Sequence, residues 1–436
     1  PQSHEEHEEY PCVHKENLMV KKVGIMTNQL SRRDFLKLST ALGGFALTPS
    51  WMSRLSFAPQ GVEPSGDLLV VVFLRGAIDG LNAVIPHAES RYYDLRPELA
   101  IPEPKSGDDK SAIDLDGFFS LHPSLRPLKN WWDDKSLAIV HAVGSPDPSH
   151  SHFDAQDYME SGSPGQKLDS GWIGRHLQTA SWQNESPFRA VGMGGVRQSS
   201  LRGTVPVTTL NSIAEFNLHG ATQAQLAQLY ALGSNYDSLA NETFAAINTL
   251  SQVDTANFTP EGGAEYPETD VSMALQQVAQ IAKAEIGMEV ACIDVGGWDT
   301  HNQQGVVDGT FGTLLTDLAT AMDAFYRDLG DRAKRVTLLT MSEFGRRAYE
   351  NGSGGTDHGH GSLMFLLGGN VNGGKVYGDW PTLAEDKLYG PGDLAVTTDF
   401  RDILSEVLIK RLNNPHQEDV FPDYAGWQDL GILREG

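Results

Sequence analysis

Seven residues of the chain place one carboxylate and two imidazoles between glycines. The stretch is Gly355-Thr356-Asp357-His358-Gly359-His360-Gly361, and an apolar run, Leu363–Leu367, follows it directly. Carboxylate oxygen and imidazole nitrogen are both ligands that divalent metals accept. Glycine allows the backbone to bend around an ion. From the residue types alone, two interpretations stay open: a metal-binding loop, or a polar turn whose histidines hydrogen-bond to the backbone.

Other residues of the same chemical types follow apolar runs elsewhere in the chain. They are Asp79 after Leu68–Leu74, the Ser149–His152 cluster after Leu137–Val143, Asp299 and His301 after Met288–Val295, and Glu343 after Arg335–Met341. Asp299 and His301 stand two residues apart, so in an extended segment both face one side and can reach one ion. Asp79 is equally typical of an Asp-Gly turn, and Ser151 of a helix N-cap.

The apolar runs are continuous and rich in β-branched residues, which is typical of parallel strands buried on both faces. Amphipathic segments, such as 271–286 and 314–329, alternate with them. We therefore predict an α/β fold with a doubly wound, mostly parallel sheet and helices on both faces. It forms a single domain over 67–432, with a helical insertion at 212–286 that covers the site. Such a sheet gathers its strand-end loops at one edge, so the clusters form one site.

The first part of the chain is typical of an export leader. Residues 1–30 are predicted to be a disordered or misassigned extension, 31–58 a twin-arginine signal segment, and 59–66 a linker. Within it, Ser31-Arg32-Arg33-Asp34-Phe35-Leu36-Lys37 precedes a weakly apolar run, as twin-arginine signals do. That run is too short and too polar for a stable membrane span. The predicted partner is the twin-arginine translocase, and the predicted location is the periplasm or the extracellular space.

Composition excludes several kinds of partner and site. The chain carries 57 Asp and Glu against 33 Lys and Arg, a net charge of −24. Binding to a nucleic-acid backbone needs a basic face, so nucleic acid is excluded as a partner. The two cysteines, Cys12 and Cys292, are too few for a disulfide framework or a cysteine-rich metal site.

Together these residues suggest one or two divalent ions, an oxygen nucleophile and a cationic clamp. Ser151 is the candidate nucleophile, and Arg75 or Arg346 the candidate clamp for an anion. This combination predicts metal-assisted hydrolysis of phosphate or sulfate esters, although the substrate itself is not readable. The alternative is a non-catalytic periplasmic binding or scaffold protein on the same fold, because fold does not fix function.

Six motifs resemble those of one family of exported bacterial proteins, the domain-of-unknown-function family DUF1501, over roughly residues 65 to 430. They are the twin-arginine leader, Leu-Arg-Gly-x-x-Asp-Gly-Leu-Asn at 74–82, Ser-His-Phe at 151–153, Gly-Gly-Trp-Asp-Thr-His at 296–301, Ser-Glu-Phe-Gly-Arg at 342–346 and Thr-Asp-His-Gly-His-Gly at 356–361. That family is related in fold to the alkaline phosphatase and sulfatase superfamily. The resemblance implies a central sheet with metal ligands on its loops.

The resemblance also implies roles for individual residues. The expected ligands of a divalent ion, preferably zinc, are Asp79, Asp299, His301, Asp357 and His358, with His360 or Glu343 as further candidates. Ser151 matches the nucleophile at a helix start. The chain departs from the superfamily in two ways. Only Thr300 separates the middle Asp and His, where three residues usually intervene. The superfamily also has a further His well downstream, for which His360 is too close and His416 is the remaining candidate. The fold therefore transfers better than the activity.

The export signal can be tested by replacing its paired arginines. We predict that the double substitution Arg32→Lys and Arg33→Lys abolishes export, because the translocase reads both guanidinium groups. Immunoblots of the periplasmic and cytoplasmic fractions measure the result. Arg54→Lys, in the same leader but outside the motif, is the matched control and should leave export unchanged. Normal periplasmic accumulation of the double variant would refute the assignment.

Overall fold

The structure, a computed structural model of the chain, describes residues 67–180, 184, 186–214, 249–250, 253, 255 and 257–435. The predicted leader segments, 1–30, 31–58 and 59–66, lie outside these residues. So does most of the predicted helical insertion, of which the structure describes a helix at Asp270–Lys283. Within the described part of the chain, every helix is too short or too polar to span a membrane.

Twelve strands are described. They are β1 Leu68–Leu74, β2 Val84–Ile85, β3 Ile113–Asp114, β4 Ser120–Leu121, β5 Leu137–Gly144, β6 Ala190–Met193, β7 Thr208–Leu210, β8 Val290–Val295, β9 Val336–Met341, β10 Ser362–Gly368, β11 Val376–Tyr377 and β12 Thr398–Asp399. Nine of them form the main sheet in the order β11-β5-β10-β9-β1-β8-β6-β7, with β12 also paired to β5. The other three form a small sheet, β2-β4-β3.

The helices flank the main sheet. The α-helices span Gly80–Ala83, Ser90–Leu95, Arg126–Asp133, His152–Ser161, Trp172–Thr179, Asp270–Lys283, Thr310–Leu329, Phe400–Lys410 and Gln417–Val420, and short 3₁₀ helices span Pro123–Leu125, Ser199–Leu201 and Gly330–Arg335. The longest, Thr310–Leu329, begins after Gly309 and ends at Gly330.

Strand β1 is buried on both faces, and its side chains alternate between two cores. Val70 and Val72 join the core that contains Leu315 of the Thr310–Leu329 helix. Leu69 and Val71 join the opposite core, which includes helices Trp172–Thr179 and Phe400–Lys410. Burying a Val or Leu side chain contributes about 1.5–3 kcal/mol. The predicted α/β class, a mostly parallel sheet with helices on both faces, is confirmed.

One strand of the main sheet runs against the others. β10 pairs antiparallel with both β5 and β9, whereas the remaining pairs in the sheet are parallel. The beginning of β10 therefore lies at the same edge as the carboxyl ends of its neighbours, with Ser362 opposite Val143 near the end of β5. As a result, a loop that precedes β10 meets loops that follow β1, β5, β8 and β9.

A buried, neutral histidine makes the fold sensitive to acid. His176 is fully buried, and its Nδ1 accepts a hydrogen bond from the Asn414 side chain at 3.0 Å. Burial, together with the positive charge of Arg189, lowers the pKa of His176 from 6.5 to about 3. The unfolded chain therefore binds this proton first as the pH falls. The stability that the neutral imidazole contributes is complete above pH 6.5 and is lost as the pH falls toward 3.

We predict that His176→Gln reduces the loss of stability in acid. Between about pH 7 and about pH 4.5 the wild-type free energy of unfolding should fall by about 2–3 kcal/mol more than that of the variant. Urea unfolding at the two pH values measures the difference. His416→Gln, at a half-exposed histidine, is the control and should follow the wild type. Equal acid sensitivity in His176→Gln and wild type would contradict the prediction.

Candidate metal centre

Four side chains from three different loops converge at the carboxyl edge of the sheet. Asp299 and His301 follow β8, His358 precedes the reversed strand β10, and His152 is the first residue of the helix that follows β5. The reversal of β10 is what brings His358 to this edge, because it places the start of that strand beside the ends of the parallel ones.

The imidazole Nε2 atoms and one carboxylate oxygen point at each other. His358 Nε2 lies 3.0 Å from His152 Nε2 and 2.9 Å from His301 Nε2. Asp299 Oδ1 lies 3.2 Å from His358 Nε2, 3.1 Å from His301 Nε2 and 3.5 Å from His152 Nε2. His152, Asp299 and His358 each offer a ligand atom within 4.8 Å of the other two. The ligand atoms of His152, Asp299 and His358 lie close enough together to share one ion, and His301 Nε2 lies beside this group, next to Asp299 and His358.

The other nitrogen of each ring is held by a group that only accepts hydrogen bonds. His152 Nδ1 lies 2.8 Å from Glu343 Oε1, His301 Nδ1 lies 3.3 Å from Asp357 Oδ1, and His358 Nδ1 lies 3.1 Å from the carbonyl oxygen of His150. Each Nδ1 then donates to its acceptor, so in the neutral ring the Nε2 lone pair is directed at the centre. Lone pairs 3 Å apart repel unless a cation lies between them. This is the arrangement that proteins use to orient histidine ligands of metals.

The carboxylate of the cluster is kept ionised. Burial opposes the charge of Asp299, but the hydrogen bond and positive charge of Arg346, at 2.6 Å, outweigh it and lower its pKa to about 2. The hydrogen bond to Glu343 raises the pKa of His152, whereas burial lowers that of His358. Asp299 thus carries a negative charge beside three imidazoles over the whole physiological range.

Glu343 is the most completely bonded of the groups behind the ligands. Its Oε1 accepts from His152, from the Gln156 side chain at 2.8 Å and from the backbone N–H of Gly76 at 2.8 Å. Burial opposes its ionisation, yet these hydrogen bonds keep its pKa below the usual value. Gly76 has φ +118°, and a Cβ there would lie 2.5 Å from the backbone nitrogen of Asp299. Only glycine allows the two strand ends to approach so closely.

The cluster is open to solvent on one side. The side chains of His152, His301 and His358 are 25%, 34% and 23% exposed, and that of Asp299 is 48% exposed. Structural metal sites are usually closed, whereas catalytic sites keep a position for water or substrate. The imidazoles of His152 and His358 and the carboxylate of Asp299, with the His301 imidazole beside them, are donors that zinc and other divalent transition metals accept. The residues present therefore fit a divalent ion, and the fit includes room for an additional ligand.

Two residues predicted as ligands lie elsewhere. Asp79 is fully buried and pairs with Arg96 at 2.7 Å, and it also accepts from Gln304 at 2.6 Å. His360 is buried, and its ring stacks on Tyr389 with the centroids 4.5 Å apart. Asp357 is adjacent to the cluster, behind His301, and it also accepts from the Asn351 side chain at 3.0 Å.

The residues predicted for catalysis have internal partners. Arg75 binds Asp294 at 2.8 Å and Glu160 at 3.1 Å. Arg346 is buried and donates to backbone carbonyls as well as to Asp299. Ser151 precedes His152 and caps its helix, with Oγ 3.5 Å from the Asp154 nitrogen. Of the predicted set, the structure brings together Asp299, His301 and His358, with Asp357 and Arg346 in contact with them.

His152 is the member of the cluster that the sequence pattern does not single out. It belongs to the Ser149–His152 cluster, in which Ser151 is the predicted functional residue. A position at the start of a helix that follows a strand indicates a functional residue, but this pattern fits both Ser151 and His152. The acceptor role of the His150 carbonyl has no signature in residue type.

These features define an α/β protein with a candidate divalent-metal centre where the loops of its sheet converge. The chain belongs to the family described as protein of unknown function (DUF1501), whose model matches residues 67–418. Among curated proteins, none matches the chain.

Several solved structures share a general resemblance. The C-terminal periplasmic domain of EcEptC from Escherichia coli, in complex with Zn, is 10% identical with a TM-score of 0.36, over 88% of each chain. The PsFucS1 sulfatase from Pseudoalteromonas sp. is 10% identical with a TM-score of 0.35, over 86% of this chain and 73% of that one. The alkaline phosphatase from the Antarctic bacterium TAB5 is 8% identical with a TM-score of 0.29, over 70% of this chain and 92% of that one. These TM-scores are too low to support the fold class, which rests on the strand order described above.

Glu343 provides a test of the hydrogen-bond arrangement. We predict that Glu343→Gln weakens divalent-metal binding by about 10- to 100-fold, because a neutral amide orients His152 less firmly and lowers its basicity. Competition with a chromogenic chelator for Zn²⁺ measures the affinity. Glu418→Gln, at an exposed carboxylate, should bind as the wild type does. Unchanged affinity in Glu343→Gln, with the fold intact by circular dichroism, would show that the carboxylate does not support a metal ligand.

Proposed function

We propose that this protein is a metal-dependent hydrolase of phosphate or sulfate esters. The observation that supports this most is the convergence of three Nε2 lone pairs on Asp299, while each Nδ1 is held by an acceptor. Such a centre needs a cation, and its partial exposure leaves access for a substrate oxygen. A bound divalent ion supplies Lewis acidity toward a phosphoryl or sulfuryl oxygen. In the overall reaction, ester and water yield an alcohol and phosphate or sulfate.

The chain's own residues hold this centre in place. His152, His301, His358 and Asp299 are the proposed ligands. Glu343, Asp357 and the His150 carbonyl hold the three rings in the tautomer that presents Nε2. Arg346 keeps Asp299 ionised and fixes its position from the buried side. Because these partners are already in place, little reorganisation is needed when the ion and substrate bind.

Ser151 remains the proposed nucleophile. It adjoins the ligand His152, and it lies at the N-terminus of a ten-residue helix, where the helix dipole favours an attacking oxyanion. Its Oγ accepts from the Asp154 nitrogen at 3.5 Å and also hydrogen-bonds the Asp154 side chain. To attack a substrate, the hydroxyl has to leave this cap, and an N-cap is worth about 1 kcal/mol.

We further propose that the protein works in the periplasm or outside the cell, after export by the twin-arginine translocase. Residues Ser31–Lys37 support this, because they match a twin-arginine signal. That pathway carries proteins that are already folded, so a metal loaded inside the cell would be carried out with the chain.

A non-catalytic binding or scaffold role is the rival, and one observation favours it. Arg75 and Arg346, the two cations expected to hold a substrate anion, are both engaged in internal ion pairs, and the Arg346 side chain is fully buried. Among the described residues, neither of them is placed to bind an anion without first losing a partner. In this view the metal is structural and the ester chemistry is absent.

Metal content and turnover together separate these possibilities. We predict about one or two divalent ions per chain in protein recovered from the periplasm, measured by elemental analysis. We also predict turnover of at least one member of a panel of phosphate monoesters, phosphate diesters and sulfate esters. His301→Ala should lose metal and turnover together. Ser151→Ala should keep the metal and lose about 100-fold or more in kcat.

The control for these variants is His416→Ala, at an exposed histidine outside the cluster, which should retain both metal and turnover. Less than one ion per chain in the wild type would refute the metal centre. Metal without turnover of any ester would support the binding role. Turnover that is unchanged in Ser151→Ala would remove the serine from the mechanism while leaving the metal centre intact.

A further inference from the structure

A cleft of about 350 Å³ opens next to the metal centre. Phe153, the residue directly after the ligand His152, lies on its rim, and Gln156 lines it one helical turn further on. The Gln156 side chain donates to Glu343 Oε1 at 2.8 Å, and the same oxygen holds His152. The side chains of Gln156 and Glu343 therefore connect this cleft to the proposed metal ligand His152.

Two apolar side chains on the cleft are unusually exposed. Phe153 is 89% exposed and Val196 is 80% exposed, whereas the next large apolar side chains on the described surface, Met273 and Tyr389, are 43% exposed. Burial of a Phe side chain stabilises a fold by removing apolar surface from water, and this ring gains almost none of that stabilisation within the chain. Aromatic rings at the mouth of a pocket are a common means of ligand contact.

The charges of the cleft cancel each other. The lining has three arginines, Arg75, Arg197 and Arg202, and three carboxylates, Asp157, Glu160 and Asp294. Arg75 pairs with Asp294 at 2.8 Å and with Glu160 at 3.1 Å, and Arg202 lies 3.5 Å from Asp157. The walls thus present hydrogen-bond donors and acceptors but carry little net charge. An anionic polymer would need a basic surface, and a lipid chain would need an apolar one. A neutral ligand with many hydroxyl groups matches both the paired charges and the amide of Gln156.

We propose that this cleft is a carbohydrate subsite, which holds the sugar ring of the substrate with Phe153 as its stacking surface. A sugar ring has a face of C–H groups, which packs on an aromatic ring, and an edge of hydroxyl groups, which bond to guanidinium, carboxylate and amide groups. The inference rests on the proposed hydrolase and makes its substrate a glycan that carries a phosphate or sulfate ester.

The test uses neutral oligosaccharides, which carry no ester and so report on the cleft alone. Metal-loaded protein is titrated calorimetrically with a panel of gluco-, galacto-, manno-, xylo- and fuco-oligosaccharides. We expect at least one to bind, Phe153→Ala to weaken that binding about tenfold or more, and Phe153→Trp to retain it. Because Phe153 is almost fully exposed, Phe153→Ala should melt at the wild-type temperature. Tyr349→Ala, at an exposed ring outside the cleft, is the matched control.

Each outcome bears on the inference. Failure of the whole panel to bind, or binding that is equal in Phe153→Ala and wild type, would overturn it. Vesicles of anionic phospholipid serve as a second probe, and Phe153-dependent binding to them without glycan binding would assign the surface to a membrane and likewise overturn it. The hydrolase proposal fails separately: glycan binding without turnover of any ester refutes that activity, whereas ester turnover without glycan binding refutes only the subsite.

Discussion

Repulsion between imidazole lone pairs is the constraint on which the candidate site depends. His358 Nε2 lies 3.0 Å from His152 Nε2 and 2.9 Å from His301 Nε2, and acceptors on the far side of each ring fix the proton at Nδ1. A carboxylate, a second carboxylate and a backbone carbonyl each perform this role for one ring. Without them the rings can turn away or change tautomer. The centre is therefore a property of two layers of residues, and the outer layer decides what the inner one can bind.

The sheet supplies the position of this centre through a single reversed strand. In a wholly parallel sheet, the segment before a strand lies at the edge opposite the ligand-binding loops. β10 runs antiparallel to β5 and β9, so the loop that carries Asp357 and His358 meets the segments that follow β5 and β8. The close approach at Gly76 draws the ends of β1 and β8 together on the same edge. The reversed strand β10 and Gly76 thus place the functional loops at one edge of the sheet.

Some charged residues at the site are proposed metal ligands, and others are buried ion-pair partners that hold the surrounding loops in place. Arg346 and the Asp79–Arg96 pair are buried, and burial of an ion is costly unless all of its hydrogen-bonding groups are satisfied. Arg346 meets this requirement by donating to several carbonyl groups and to Asp299. Asp79 meets it through Arg96, Gln304 and the Asn82 nitrogen. Residue type and position after a strand do not distinguish such a framework carboxylate from a metal ligand.

The sequence by itself determined the α/β class and the long strands β1, β5, β8, β9 and β10, because continuous β-branched runs and helical periodicity are local signals. The reversal of β10, which brings the His358 loop to the edge where the other loops gather, was visible only in the tertiary structure. The sequence also indicated Asp299, His301 and His358 as neighbours. Only the tertiary structure decided that His152 joins them, that Asp79 faces Arg96 and that His360 stacks on Tyr389. These outcomes depend on side-chain direction and on partners up to 225 residues away, as for Gln304 and Asp79. The spacing of residues along the chain does not reveal such contacts, because they form only when separate loops pack against one another.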